Sequence, residues 1–108
     1  MKVPGTIEEC FAELEKLLDE EELEEFKKAE ESELALYHFG LGMWIRNNWG
    51  LWLDSPLAQY FKSIGVQHPD DMSAIILTSF HRHLNGKDLR LDEQVKYYQE
   101  YWEKSGGP

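Results

Sequence analysis

His38-Phe39-Gly40-Leu41-Gly42-Met43-Trp44-Ile45-Arg46-Asn47-Asn48-Trp49-Gly50-Leu51-Trp52 is the stretch on which the fold reading turns. It holds three of the four tryptophans, one arginine, two adjacent asparagines and three glycines. Glycine weakens a helix by about 1 kcal/mol relative to alanine, so three of them mark close packing, a helix end or a contact site. Extended upstream to Ser32 as its cap, the stretch carries Leu34, Tyr37, His38, Leu41, Trp44 and Ile45 at helical spacing. Leu36, Phe39 and Met43 add a second stripe. A helix apolar on most sides belongs in the middle of a bundle. Residues 32–48 are therefore predicted to be the central helix, with Gly40 and Gly42 admitting a neighbouring backbone and Gly50 ending it.

The flanks read as shorter helices. Thr6 with Glu9 forms a capping box ahead of Ile7, Cys10, Phe11, Leu14, Leu17 and Leu18. Asp19 and Glu22 repeat that box before Leu23 and Phe26, and Lys27 and Lys28 suit the helix end. Ser55-Pro56 starts a fourth helix that Gly65 stops. His68-Pro69-Asp70-Asp71 opens a fifth, buried by Met72, Ile75, Ile76, Leu77, Phe80 and Leu84 and closed by Asn85-Gly86. Asp92 caps a last helix bearing Val95, Tyr98, Tyr101 and Trp102. Tyr98, Tyr101 and Trp102 are expected to face the core, whereas an exposed aromatic group there would mark a partner surface. No strand pattern or internal repeat interrupts the series. The expected architecture is all-α: a single compact bundle of five or six short helices spanning residues 6–104, with flexible ends at 1–5 and 105–108.

With 108 residues, 42% of them hydrophobic, the chain suits one core and one domain. No apolar run is long enough for a membrane span, and the first residues lack an apolar signal core. The single cysteine, Cys10, excludes an internal disulfide and reads as a buried, inert thiol. A cytoplasmic location is the expectation. The charge of −10 is uneven: residues 1–33 hold 13 Asp/Glu against 4 Lys, and residues 34–108 hold 8 Asp/Glu against 7 Lys/Arg. Without a basic stripe, direct nucleic-acid binding is not expected. The acidic block is either a solvated helix surface or a decoy for a nucleic-acid-binding protein.

The 38–52 string resembles a family of small helical bacterial domains of unknown function. So do His68-Pro69-Asp70-Asp71-Met72-Ser73 and His81-Arg82-His83-Leu84-Asn85-Gly86, and the likeness runs from about Ile7 to Trp102. The resemblance implies a bacterial, cytoplasmic origin and assigns no activity, ligand or catalytic residue.

Candidate chemistry comes from the residues alone. Arg46 offers a planar fork of donors, and Asn47 both donates and accepts beside Trp49 and Trp52. Arginine and aromatic anchors dominate partner and small-ligand sites. The leading expectation is thus a non-enzymatic protein- or peptide-interaction module using this Arg/Asn/Trp surface. The alternative use of Arg46 is structural, capping carbonyls inside a buried network. A rival is a small enzyme or ligand sensor, which needs Arg46, His68, Asp71 and His81 in one pocket. No catalytic residue, cofactor or metal site is assigned. His81 and His83 point about 200° apart on a helix and cannot clamp one ion, and no serine elbow or phosphate loop is present.

Overall fold

The computed structural model describes residues 3–106. Six α-helices, a 3₁₀ turn and a π turn make up its regular structure, and no strand occurs among the described residues. In chain order they are α1 (Ile7–Leu17), α2 (Glu20–Lys28), a 3₁₀ segment (Glu31–Tyr37), a π segment (His38–Gly42), α3 (Met43–Asn48), α4 (Pro56–Ser63), α5 (Pro69–Leu84) and α6 (Leu91–Lys104). The all-α bundle expected from the helical spacing is the fold.

Local chemistry sets most boundaries. The Thr6 hydroxyl accepts from the Glu9 N–H, while the Glu9 carboxylate reaches back to the Gly5 N–H rather than to Thr6. That bond, with Pro4 buried, ties the end of the 1–5 stretch to the domain. Met1 and Lys2, and Gly107 and Pro108 at the other end, lie outside the described residues. Asp19 and Glu22 form the full reciprocal box. Ser55 caps α4 by accepting from the Ala58 N–H. Three helices end alike. The Leu51 N–H bonds the Arg46 carbonyl across Gly50 (φ 67°), the Val66 N–H bonds the Phe61 carbonyl across Gly65 (φ 98°), and the Lys87 N–H bonds the Arg82 carbonyl across Gly86 (φ 67°). All are the six-to-one closure that needs a left-handed residue. The last helix starts at Leu91, two residues earlier than Asp92 capping implies, after Arg90 takes a positive φ of 47°.

The segment expected to be one central helix, 32–48, winds in three different ways. Its entry is Glu30, whose N–H donates to the Glu33 carboxylate, rather than Ser32. A 3₁₀ turn eclipses residues three apart. Glu33, Leu36 and Phe39 therefore share one outward edge, while Leu34 is buried and Tyr37 half-buried. The central position belongs to α5, which packs against every other element. Met72, Ile75, Ile76, Leu77 and Phe80 fill its surroundings, and two small polar residues serve its buried partners: Ser73 meets Arg46, and Ser79 meets Gln94. Cys10 is fully buried, and burial pushes its thiol pKa up, so it is an inert core group.

The two glycines of the π segment are not equivalent. A Cβ on Gly42 would lie 3.1 Å from Arg46 Nη1 and 3.2 Å from the Tyr37 carbonyl oxygen, whereas one on Gly40 meets nothing within 4 Å. Both neighbours of Gly42 are held, one by hydrogen bonds and one by the backbone. Gly40→Ala should therefore stabilise by about 0.5–1 kcal/mol through lost unfolded-state freedom. Gly42→Ala should destabilise by about 1 kcal/mol despite the same gain, because the crowding is larger. Paired urea denaturation curves give both signs.

Candidate functional site

Arg46 sits on the last turn of α3 and is 3% exposed. Its Nη1 donates to Ser73 Oγ at 2.8 Å and its Nη2 to the His38 carbonyl at 3.0 Å. Nε lies 3.4 Å from Asp70 Oδ1, an ion pair without hydrogen-bond alignment. Ser73 Oγ in turn donates to the Asp70 carbonyl. The guanidinium therefore staples the π segment to the first turns of α5. It fills the interior and does not line an open hollow with the tryptophans, which corrects the expectation of an Arg46-centred contact surface.

The remaining candidates separate. Trp49 is 1% exposed and packs edge-on against Trp44 with centroids 5.8 Å apart. Asn47 and Trp52 are exposed and joined, the indole N–H donating to Asn47 Oδ1 at 3.0 Å. His81 is buried between Phe26 and the Ala29 carbonyl, 2.7 Å from Nε2. A carbonyl only accepts, so that nitrogen carries the proton. His68 and Asp71 line one cleft near α6, where each contacts Trp102. Arg46, His68, Asp71 and His81 thus share no pocket. Asp71 and His81 are ten residues apart on one helix, about 15 Å along its axis. Among the described residues no group of three His, Cys, Asp or Glu side chains could hold a metal ion. Three acidic residues of 8–33 pair with cations: Glu13 with Lys16 and Glu24 with Lys28 on their own helices, and Glu31 with the distant Arg82, which lowers the Glu31 pKa through a hydrogen bond.

Two surfaces carry possible binding chemistry. The first follows the outward edge of the 3₁₀–π–α3 run. Leu36 and Phe39 are 80% and 76% exposed, and Met43 continues the ridge. The other side of the same run lines a groove of about 500 Å³ between α1–α2 and the π segment. Its walls are Leu17, Leu18, Phe26, Tyr37, Leu41 and Trp44, Gly40 opens onto it, and Glu22 and Glu25 stand at its edge. Among the described residues no lysine or arginine lines it. The periodicity pointed to Leu36, Phe39 and Met43 but placed them inside, because a uniform helical period hides the tighter winding before them.

The second surface is a cleft of about 330 Å³ where α6 closes over the α4–α5 connection. His68 stacks on Trp102 with centroids 3.9 Å apart, and the Trp102 indole N–H donates to Asp71 Oδ2 at 2.8 Å. Burial raises the Asp71 pKa, opposed by the Trp102 hydrogen bond and by His68. Burial pushes the Tyr98 pKa up to about 12. Tyr98 and Trp102 are half-buried as an inward face requires, but Tyr101 is 52% exposed, like Tyr97 at 65%. Trp102 was legible only as core. The clue to more was its N–H, which needs an acceptor when covered.

A family model described as a domain of unknown function (DUF6794) matches residues 3–84. The chain belongs to that family. The family match includes α1 through α5, with the Arg46 staple, the ridge and its groove, and ends before α6. The cleft is therefore half inside the match, through Gly65, His68 and Asp71, and half outside it, through Tyr98, Gln99 and Trp102. No curated protein matches the chain, and no solved structure does. No helix among the described residues is long and apolar enough to cross a membrane.

Proposed function

We propose that this domain is a non-enzymatic protein-interaction module that receives a basic, amphipathic segment of a partner on the ridge and groove beside the π segment. The observation that carries the reading is the exposure of Leu36 and Phe39 on the same 3₁₀–π run whose Tyr37, Gly40 and Leu41 line an apolar groove. Contiguous exposed apolar surface of this kind marks contact sites. The partner's charge follows from Glu22 and Glu25 at the groove edge with no cation among its lining residues. A partner helix can lay apolar side chains on such a groove while its lysines meet the two carboxylates. Asn47 and Trp52 extend the exposed polar-aromatic surface along the same chain segment.

The test uses a lysine/leucine amphipathic peptide and its glutamate/leucine counterpart, followed by tryptophan fluorescence, to which Trp44 in the groove wall contributes. The basic peptide should bind, weaken with added salt, and lose about tenfold or more in affinity in a Leu36→Ser/Phe39→Ser double variant. Both side chains face solvent, so circular dichroism and the melting temperature should stay near those of the parent. Equal binding of the acidic peptide would overturn the charge assignment. A dimer in sedimentation equilibrium that the double variant dissolves would show that the face takes a second copy of this chain instead.

A further inference from the structure

We infer that the cleft between α6 and the α4–α5 connection binds an alkylammonium group, with the Asp71 carboxylate as its counter-ion and Trp102 and Tyr98 as its aromatic wall. This is independent of the docking reading, since the cleft shares no lining residue with the groove. Asp71 is 9% exposed as a residue, and the Trp102 indole is the one hydrogen-bond donor the described residues give its side chain. A second acidic side chain, Glu103, lines the cleft, and among the described residues no lysine or arginine does. Anionic ligands are thereby disfavoured. A covered carboxylate with no cationic side chain against it is costly to keep ionised, and a bound cation relieves that cost.

The remaining chemistry agrees. His68 Nε2 is buried and has no hydrogen-bond partner among the described residues. In the neutral tautomer protonated at Nδ1 it offers a lone pair that an ammonium N–H can meet. Aromatic faces attract cations, and the walls here include an indole and a phenol. Gly65 lets the Gln99 amide come close, since a Cβ there would lie 2.2 Å from Nε2 of Gln99. The floor is therefore backbone, and α6 can approach it. The size of the cleft, about 330 Å³, is at the lower limit for ligand sites and suits an ammonium head on a short chain rather than a nucleotide.

The ammonium can belong to a free amine or to a lysine side chain of a protein, and one titration separates them. The Trp102 indole N–H resonance is followed by NMR as n-butylammonium, the neutral isostere butanol, and Nα-acetyl-lysine amide are added to the full chain. Butylammonium should shift the resonance saturably and butanol should not. Asp71→Asn, which retains an oxygen to accept from Trp102, should weaken binding about tenfold or more. Acetyl-lysine amide binding more tightly than butylammonium would assign the site to a protein lysine, and weaker binding to a free amine. An equal response to butanol, or no saturable response to either amine, would overturn the inference even if Asp71→Asn failed to fold. Glu103→Gln, on the exposed rim, should weaken butylammonium binding with the fold unchanged, and parental affinity in both variants would also overturn it. Leu36→Ser alone, at an 80% exposed position that borders no cavity with Tyr98 as Phe39 does, should weaken basic-peptide binding and leave this titration untouched, so failure of the docking reading and failure of this one are distinguishable.

Discussion

Arg46→Ala is expected to destabilise the domain by about 3–5 kcal/mol, measured as a fall in the urea midpoint without a change in slope. The guanidinium is nearly sealed from solvent and satisfies the His38 carbonyl and the Ser73 hydroxyl together. Its removal takes a donor from the His38 carbonyl, leaves the Ser73 hydroxyl with the Asp70 carbonyl alone, and opens a void beneath Gly42. Arg46→Lys should also be costly, because a single ammonium cannot span the carbonyl, the hydroxyl and Asp70 at once. Asp70→Asn should cost less than about 1 kcal/mol, since that carboxylate is 59% exposed and its pairing is screened. A domain stable by about 5–15 kcal/mol has little margin for the first loss and ample margin for the last. Near-parental stability in Arg46→Ala, with loss of basic-peptide binding, would restore Arg46 to the contact surface.

The contrast between Arg46 and Thr6 shows what the sequence could and could not reveal. Thr6, Asp19 and Ser55 act on N–H groups three residues away, so their roles can be read from adjacent letters. Gly50 and Gly65 stop helices for equally local reasons. Arg46 depends on Ser73, 27 residues on, and on a carbonyl in the π segment. The same composition beside tryptophans describes a binding anchor and a buried staple equally well, and only the tertiary partners distinguish them. The 3₁₀ and π windings were hidden for a related reason. Periodicity assumes a constant 3.6-residue turn, and a three-residue step at Glu33, Leu36 and Phe39 rotates the stripe out of the core. His68 and Asp71 were recognisable as polar candidates at the start of α5. Their meeting with Trp102 was not, because it requires α6 to fold back across Gly65.

Trp49→Ala should cost about 4 kcal/mol, lowering the melting temperature by on the order of 20 °C in a domain of this size. Trp49 is the largest fully buried side chain, and its ring backs Trp44, which in turn walls the proposed docking groove. The Trp49 indole N–H is buried without a partner, so part of its burial energy is already lost to an unsatisfied donor. Trp49→Phe removes that donor and keeps most of the apolar volume, and should cost less than about 1.5 kcal/mol. Trp52→Ala, at an exposed indole, should stay within about 0.5 kcal/mol of the parent. Scanning calorimetry of the three variants separates the roles of these two tryptophans. Basic-peptide binding then links core to surface: Trp49→Phe should retain it, because Trp44 keeps its support. Loss of binding in a fully folded Trp49→Phe would mean that the groove's shape depends on the indole itself, and that the ridge alone does not define the contact.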